Sequence, residues 1–304
     1  MDRQKVLAIV GPTGIGKTSL SVWLAKQLDG EIISCDSMQV YKKMDIGTAK
    51  VTQEEMQGIH HELIDVQNYN EPYNVKVFQE KCRTAIEDVV KRGKFPILCG
   101  GTGLYLKAAL YDYEFQEENE DIAYTTFLNS KTNEELVAML KEKDEKALEK
   151  IHPNNRKRLI RALQICHSGT SKSEQEDKQQ HIPLYDVYFL GLDVNRDILH
   201  DRINKRVDIM FENGLVKEVK DLFTNPETWE YTSFQGIGYK EFKDYFLKEK
   251  SIDEVKTAIK THSRQYAKRQ YTWFKNQMPV HWFEAQNRDE IYSAVKEWLM
   301  DEDK

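Results

Sequence analysis

GPTGIGKTS (11–19), entered directly from VLAIV (6–10), decides the fold. It fits G-x-x-x-x-G-K-[ST] with Gly11, Gly16, Lys17 and Thr18 in register. A strand that breaks into a glycine-rich turn and reopens as a helix aims backbone N–H groups and a helix N-terminus at one anion. Lys17 adds a full positive charge, and the Thr18 hydroxyl is placed to ligate Mg²⁺. The run Gly11, Pro12, Thr13, Gly14, Ile15, Gly16, Lys17, Thr18 therefore reads as a di- or triphosphate site. ATP or GTP is the commonest occupant of such a loop, but the motif leaves the organic half of the ligand open.

The pattern around this loop is α/β. VLAIV (6–10), EIISC (31–35), FPILCG (95–100) and DVYFLGLDV (186–194) are short apolar runs that read as buried strands. Between them, residues 17–28 place Leu20, Trp23, Leu24 and Leu28 on one helix face, and 75–92 do the same with Val77, Phe78, Cys82, Ala85, Ile86 and Val89. Strand–helix–strand alternation predicts a P-loop parallel-sheet core flanked by helices. From Asp112 the chain turns charged and helical, with NEELVAMLKEKDEKALEKI (133–151) and RKRLIRALQI (156–165), while SGTSKSEQEDKQQ (168–180) reads as a mobile loop. Residues 112–183 are thus expected to form a helical insertion domain in a core made of 1–111 and 184–304. Further helices are expected at 196–212, 214–224, 237–248 and 252–276, and no internal repeat is present.

Hydrophobic content of 40% and charged content of 31% suit a globular chain with a core. No apolar run reaches the roughly 18 residues of a membrane span. MDRQK leads into VLAIV without a secretory or transit segment, so a cytoplasmic protein is expected, with a monomer as the default. Cys35, Cys82, Cys99 and Cys166 are scattered, which argues for free thiols and against zinc. His60 and His61 read as packing or capping residues before LIDV.

The net charge of −6 excludes a uniformly basic nucleic-acid binder, but the charge is not evenly spread. Lys150 to Ser173 contains Lys150, Arg156, Lys157, Arg158, Arg161 and Lys172 and no acid. Val255 to Phe283 contains Lys256, Lys260, Arg264, Lys268, Arg269 and Lys275, again with no acid. These blocks are either solvated helix faces or contacts for a polyanion.

Asp36 follows the second strand in CDSMQVY (35–41), and ligands of open parallel sheets bind beyond the carboxyl ends of strands. Asp36 should therefore face the phosphate cradle as a metal neighbour, a general base or a turn cap. GGTGLY (100–105) closes the third strand with a close-approach turn and the Thr102 hydroxyl. No strand ends in the Asp-Glu pair usual in hydrolytic P-loop ATPases.

DSMQVYKKMDIGTAK (36–50), GGTGLY (100–105), IHPNNRKRLIRAL (151–163), GLVKEV (214–219), QGIGYKE (235–241) and RQYAKRQYTWF (264–274) resemble, in order, the bacterial tRNA dimethylallyltransferases. The resemblance runs from about residue 5 to 283. It implies transfer of the dimethylallyl group of dimethylallyl diphosphate to N6 of adenosine 37 in the tRNA anticodon stem-loop, with Mg²⁺ as cofactor. It further implies that Gly11 to Thr18 hold the diphosphate, that Asp36 is the catalytic base, and that Ser37, Met38 and Gln39 meet the target adenine. Thr102, the run Lys157, Arg158, Leu159, Ile160 and Arg161, and the group Arg264, Lys268 and Arg269 match tRNA-contacting positions. Arg202 and Arg206 share a helix face, and the family's basic residues in this stretch make Arg206 a leaving-group clamp; an ion pair with Asp201 or Asp208 is the other reading. The chain departs from the family in YDYEFQEENEDIAYTTF (111–127), which lacks the usual proline and arginine signatures, and at Asn155 and Gly236.

The implied chemistry is consistent with these residues. Diphosphate leaves well when fixed donors hold its developing charge, and an ionised Asp36 can take the proton of a weakly nucleophilic amine. An adenine in a stacked loop must be extruded to reach such a site. Tyr266, Tyr271, Trp273 and Phe274 are either core or stacking surfaces for bases. Three other readings compete on the residues: a small-molecule or nucleotide kinase; an adenylate isopentenyltransferase, against which the insertion and the basic C-terminal helix argue; and a non-catalytic RNA-binding module, against which the intact cradle and Asp36 argue.

Overall fold

A computed structural model describes residues 3–115, 121–169, 171–174 and 181–301. The chain divides into two units, Met1–Tyr111 with Pro183–Lys304, and Asp112–Ile182. The first unit carries strands β1 (Lys5–Val10), β2 (Gly30–Ser34), β3 (His61–Glu62), β4 (Phe95–Gly100), β5 (Asp186–Asp193) and β6 (His281–Glu284). Its first helices are α1 (Lys17–Leu28), α2 (Gln53–Met56), α3 (Val75–Lys91) and α4 (Gly103–Leu110). The second unit holds α5 (Ile122–Asn129), α6 (Asn133–Asp144) and α7 (Arg156–His167). The first unit resumes with α8 (Arg196–Glu212), α9 (Leu215–Leu222), α10 (Lys243–Phe246), α11 (Ile252–Gln277) and α12 (Arg288–Met300).

The strands form one sheet in the order β3-β2-β4-β1-β5-β6, every neighbouring pair parallel. VLAIV shows no polar alternation because both of its faces are covered. Val6, Ala8 and Val10 pack with residues of α3, α4, α9 and α11, whereas Leu7 and Ile9 pack with those of α1 and α12. Val10 lies beside Gly100 and Gly191, and Ser34 beside Cys99. That register brings the turns after β1, β2 and β4 to one edge of the sheet.

The structure differs from the sequence reading at several elements. Two edge strands escape the pattern: β3 has only two residues, and β6 (HWFE) is half-buried at best. His61, read as a packing or capping residue, is part of β3 and pairs with Ile32. The helix expected at 237–248 is instead a 3-10 turn at Lys240–Phe242 followed by the single turn of α10. Gly238 breaks it, because its φ of 99° lies outside the helical region. Helix α12 was not anticipated. Among the described residues, no helix is long and apolar enough to cross a membrane.

The second unit has its own core of Leu128, Leu136, Leu140, Leu159, Ala162 and Leu163. Thr132 and Glu135 form a capping box on α6, and Asn155 caps α7 through the Arg158 N–H. The helix expected to run to 151 ends at Asp144, whose carboxylate caps a 3-10 turn over Glu145–Glu149. Thr170 and residues 175–180 of the expected mobile loop lie outside the described residues.

Candidate active site

The loop after β1 has the backbone that an anion cradle needs. Gly16, with φ 107°, turns the chain into α1, a conformation that a side chain would strain. Lys17 Nζ donates to the carbonyls of Gly11 and Pro12 at 2.9 and 2.8 Å, which folds the lysine back over the loop. Burial lowers its pKa to about 8, opposed by the nearby Cys99 and Asp36 and reinforced by Arg206. The Thr18 hydroxyl is exposed and has no partner among the described residues.

Asp36 leaves β2 and caps its own turn. Its Oδ1 accepts the N–H groups of Met38 at 2.8 Å and Gln39 at 3.3 Å. Its Oδ2 accepts no bond among the described residues. The carboxylate thus serves as a turn cap and keeps one oxygen available for chemistry.

Two cavities meet at this point. One, of about 550 Å³, is lined by Lys17, Thr18, Gln39, Glu55, Gly101 and Gln270. The other, of about 400 Å³, is lined by Ser37, Met38, Tyr105, Ile237, Lys240 and Arg269. Thr13, Asp36, Arg206, Met210 and Tyr266 line both. A phosphate cradle and a second, more apolar chamber therefore share a wall that carries one carboxylate and one guanidinium.

Arg206 Nη1 donates to Thr13 Oγ1 at 3.0 Å, so the arginine touches the cradle itself. It makes no ion pair with Asp201 or Asp208; Asp208 instead takes Lys256 at 2.6 Å and Lys260 at 2.7 Å. Burial brings its pKa below the ordinary arginine range, with Asp36 and Glu55 opposing. Arg202 turns to the Ile15 carbonyl at 3.4 Å. Tyr266 lines both chambers, and burial pushes its phenol up to about 12. Of its aromatic neighbours, Phe274 is wholly core, Trp273 packs on Gly103, and Tyr271 donates to Asp193 Oδ2 at 2.5 Å.

Several expected contact residues are not where the sequence reading put them. Leu159 is fully buried in the core of the second unit and Ile160 packs against that core, because the inward face of α7 runs through them. Lys157, Arg158 and Arg161 are the exposed side chains of that run. Arg156 is structural, donating to the Asn129 carbonyl at 2.9 Å. Arg264 is tied down by Asn204 at 2.6 Å and Thr261 at 3.1 Å, whereas Lys268 and Arg269 remain exposed. Thr102 sits at the N-terminus of α4 without capping it.

Two residues of the site went unread. Gln270 accepts from the Thr13 N–H and donates to the Gly101 carbonyl, both at 2.9 Å. Its signal was its position: Ala267, Gln270 and Phe274 form the buried stripe of α11. Glu218 accepts the N–H groups of Asp45, Ile46 and Gly47 at 2.8, 2.7 and 2.9 Å, and the Tyr239 hydroxyl at 2.7 Å. It locks the loop at 45–47 against the QGIGYKE segment, where a Cβ on Gly47 would lie 2.5 Å from the Tyr239 ring.

The chain is similar to known proteins over nearly its whole length. The family model described as IPP transferase matches residues 39–277. The tRNA dimethylallyltransferase of Bacillus anthracis is 48% identical over 301 residues, covering 97% of this chain and 96% of that protein. Among solved structures, the full-length tRNA isopentenylpyrophosphate transferase of Bacillus halodurans superposes with a TM-score of 0.74 at 42% identity, covering 98% of this chain and 97% of that one. A eukaryotic dimethylallyltransferase acting on tRNA gives 0.82 at 32% identity, covering 97% of this chain and 79% of that one. A parallel sheet with this cradle, a carboxylate at the meeting of two chambers and matches of this extent lead to one assignment: the chain belongs to the IPP transferase family, the tRNA dimethylallyltransferases.

Proposed function

We propose that this chain transfers the dimethylallyl group of dimethylallyl diphosphate to N6 of adenosine 37 of tRNA and releases diphosphate. The observation that carries this reading is Asp36, whose free Oδ2 belongs to the wall shared by the cradle and the second chamber. The diphosphate lies on the cradle against Lys17 and Arg206. The adenine, extruded from its stack, reaches Asp36 from the side of Ser37 and Met38. The N6 lone pair forms the new C–N bond to the allylic carbon as its bond to the diphosphate oxygen breaks. The electron pair leaves on the diphosphate, and the N6 proton passes to Asp36 Oδ2. Lys17, Arg206 and the cradle N–H groups hold the charge that develops on the leaving group.

Mg²⁺ fits the donor set, because the Thr18 hydroxyl faces the first cavity without a partner. Thr18 would hold the ion, and a bound Mg²⁺ would help neutralise the leaving diphosphate. Lys268 and Arg269 of α11 are exposed cations that would contact tRNA phosphates. Within the second unit, taken by itself, Lys157 and Arg158 are exposed cations of the same kind. The test is to incubate the protein with Mg²⁺, dimethylallyl diphosphate and an unmodified tRNA carrying adenosine 37. N6-dimethylallyladenosine at that position, formed without ATP, is the expected product. Prenylation of free AMP in place of tRNA would overturn the assignment.

A further inference from the structure

Gln270 is 6% exposed and its amide is used at both ends. The two groups it joins are backbone atoms of different turns: the Thr13 N–H in the cradle after β1 and the Gly101 carbonyl in the turn after β4. A Cβ on Gly101 would come within 2.0 Å of Gln270 Nε2, so glycine at 101 is what admits the amide. Thr13 is held a second time by Arg206 through its hydroxyl. The Thr13 N–H is therefore turned toward α11, and the cradle is anchored from two helices.

We propose that Gln270 is a positioning residue for the transfer reaction. Its amide sets the spacing between the phosphate cradle and the turn that leads to Thr102, and so aims the diphosphate ester at the amine held by Asp36. This role rests on the reading of the site given above. The bridge requires an acceptor at one end, a donor at the other and no net charge. Methionine supplies the shape without either bond. Ionised glutamate supplies the acceptor, but it sets a second acceptor against the Gly101 carbonyl and a negative charge beside the diphosphate. Protonated glutamic acid restores the donor and matches glutamine in both respects.

The experiment compares wild type, Gln270→Met and Gln270→Glu at saturating tRNA. It measures kcat and KM for dimethylallyl diphosphate from about pH 6 to about pH 9, with tRNA Kd and Tm alongside. Gln270→Met should lose on the order of 10²-fold in kcat/KM while tRNA Kd stays within about twofold. Gln270→Glu should be as impaired as Gln270→Met at high pH. Its activity relative to wild type should rise as the pH falls and the carboxyl gains its proton. A space-filling role predicts a flat ratio, and that result overturns the proposal, as does a Gln270→Met enzyme with wild-type kcat/KM. If Gln270→Met does not fold, the pH profile of Gln270→Glu decides alone. Titration of inorganic diphosphate reads the bridge independently of turnover, with affinity expected to fall roughly tenfold in Gln270→Met. Unchanged affinity there counts against the bridge, whereas a wild type that never prenylates tRNA counts against the assigned reaction.

Discussion

Lys17 donates to the carbonyls of Gly11 and Pro12, and burial depresses its pKa to about 8. Holding an ammonium there costs roughly 3–4 kcal/mol as an upper bound, and a bound diphosphate would offset that cost. The folded pKa lies below the ordinary lysine value, so the native state binds fewer protons than the unfolded chain between about pH 8 and the ordinary lysine range. Stability of the ligand-free protein should therefore rise through that window. Thermal unfolding checks this: the Tm of wild type relative to Lys17→Met should increase between about pH 8 and about pH 10. At Asp36 the informative change is Asp36→Asn, which keeps the Oδ1 acceptor for the Met38 and Gln39 N–H groups and removes the base. We expect kcat to fall by roughly 10²–10⁴-fold with tRNA affinity within a few-fold. Turnover near that of wild type would remove Asp36 from the chemistry. Lys17 and Thr18 were legible because they complete the glycine-rich loop pattern, and Asp36 because it follows the end of β2 in sequence. Gln270 was not, since its partners are backbone groups 257 and 169 residues away.

Among the elements, α9 shows how a helix can shape a chamber it does not line. Glu218 projects from it and takes three consecutive N–H groups of the loop at 45–47, together with the Tyr239 hydroxyl. Lys50 holds the same loop from its other end, with Nζ 2.6 Å from both Asp45 and Asp65. Gly47 and Thr48 line the second chamber, so the latch fixes part of its wall. Glu218→Ala should cost about 1–3 kcal/mol, because it leaves those donors without an acceptor. Hydrogen exchange should show lost protection at Asp45, Ile46 and Gly47, with the β1 amides unaffected; protection that persists would mean the latch does not hold the loop. Helices α8 and α11 teach a second lesson. The block from Val255 to Phe283 has no acid in sequence, yet Asp208 of α8 neutralises Lys256 and Lys260 in space.

For the whole molecule, that neutralisation narrows the cationic surface of the first unit. Lys268 and Arg269 are exposed, whereas Lys256 and Lys260 are paired and Arg264 is bonded. Replacing Lys268 and Arg269 together by alanine should weaken tRNA binding and flatten its salt dependence by about 1 to 2 units of log–log slope. Replacing Lys256 and Lys260 should leave the slope unchanged. Filter binding over a range of salt concentrations measures both, and equal slopes for the two pairs would refute this partition.

Local sequence determined the cradle, the four central strands and the helices at 17–28, 75–91, 196–212 and 252–277, because each rests on an apolar period or a glycine-bearing turn within a few residues. The edge strands were invisible, being too short or too exposed to carry a period. Asp36 could be placed beside the cradle from sequence, since parallel strands end at a common edge. Tertiary structure alone decided that Arg206 touches Thr13, that Asp208 cancels two lysines, and that Gln270 and Glu218 clamp turns they never approach in sequence. Such pairings satisfy buried backbone groups and charges, and a chain reveals those partners only when folding brings distant segments within hydrogen-bond reach.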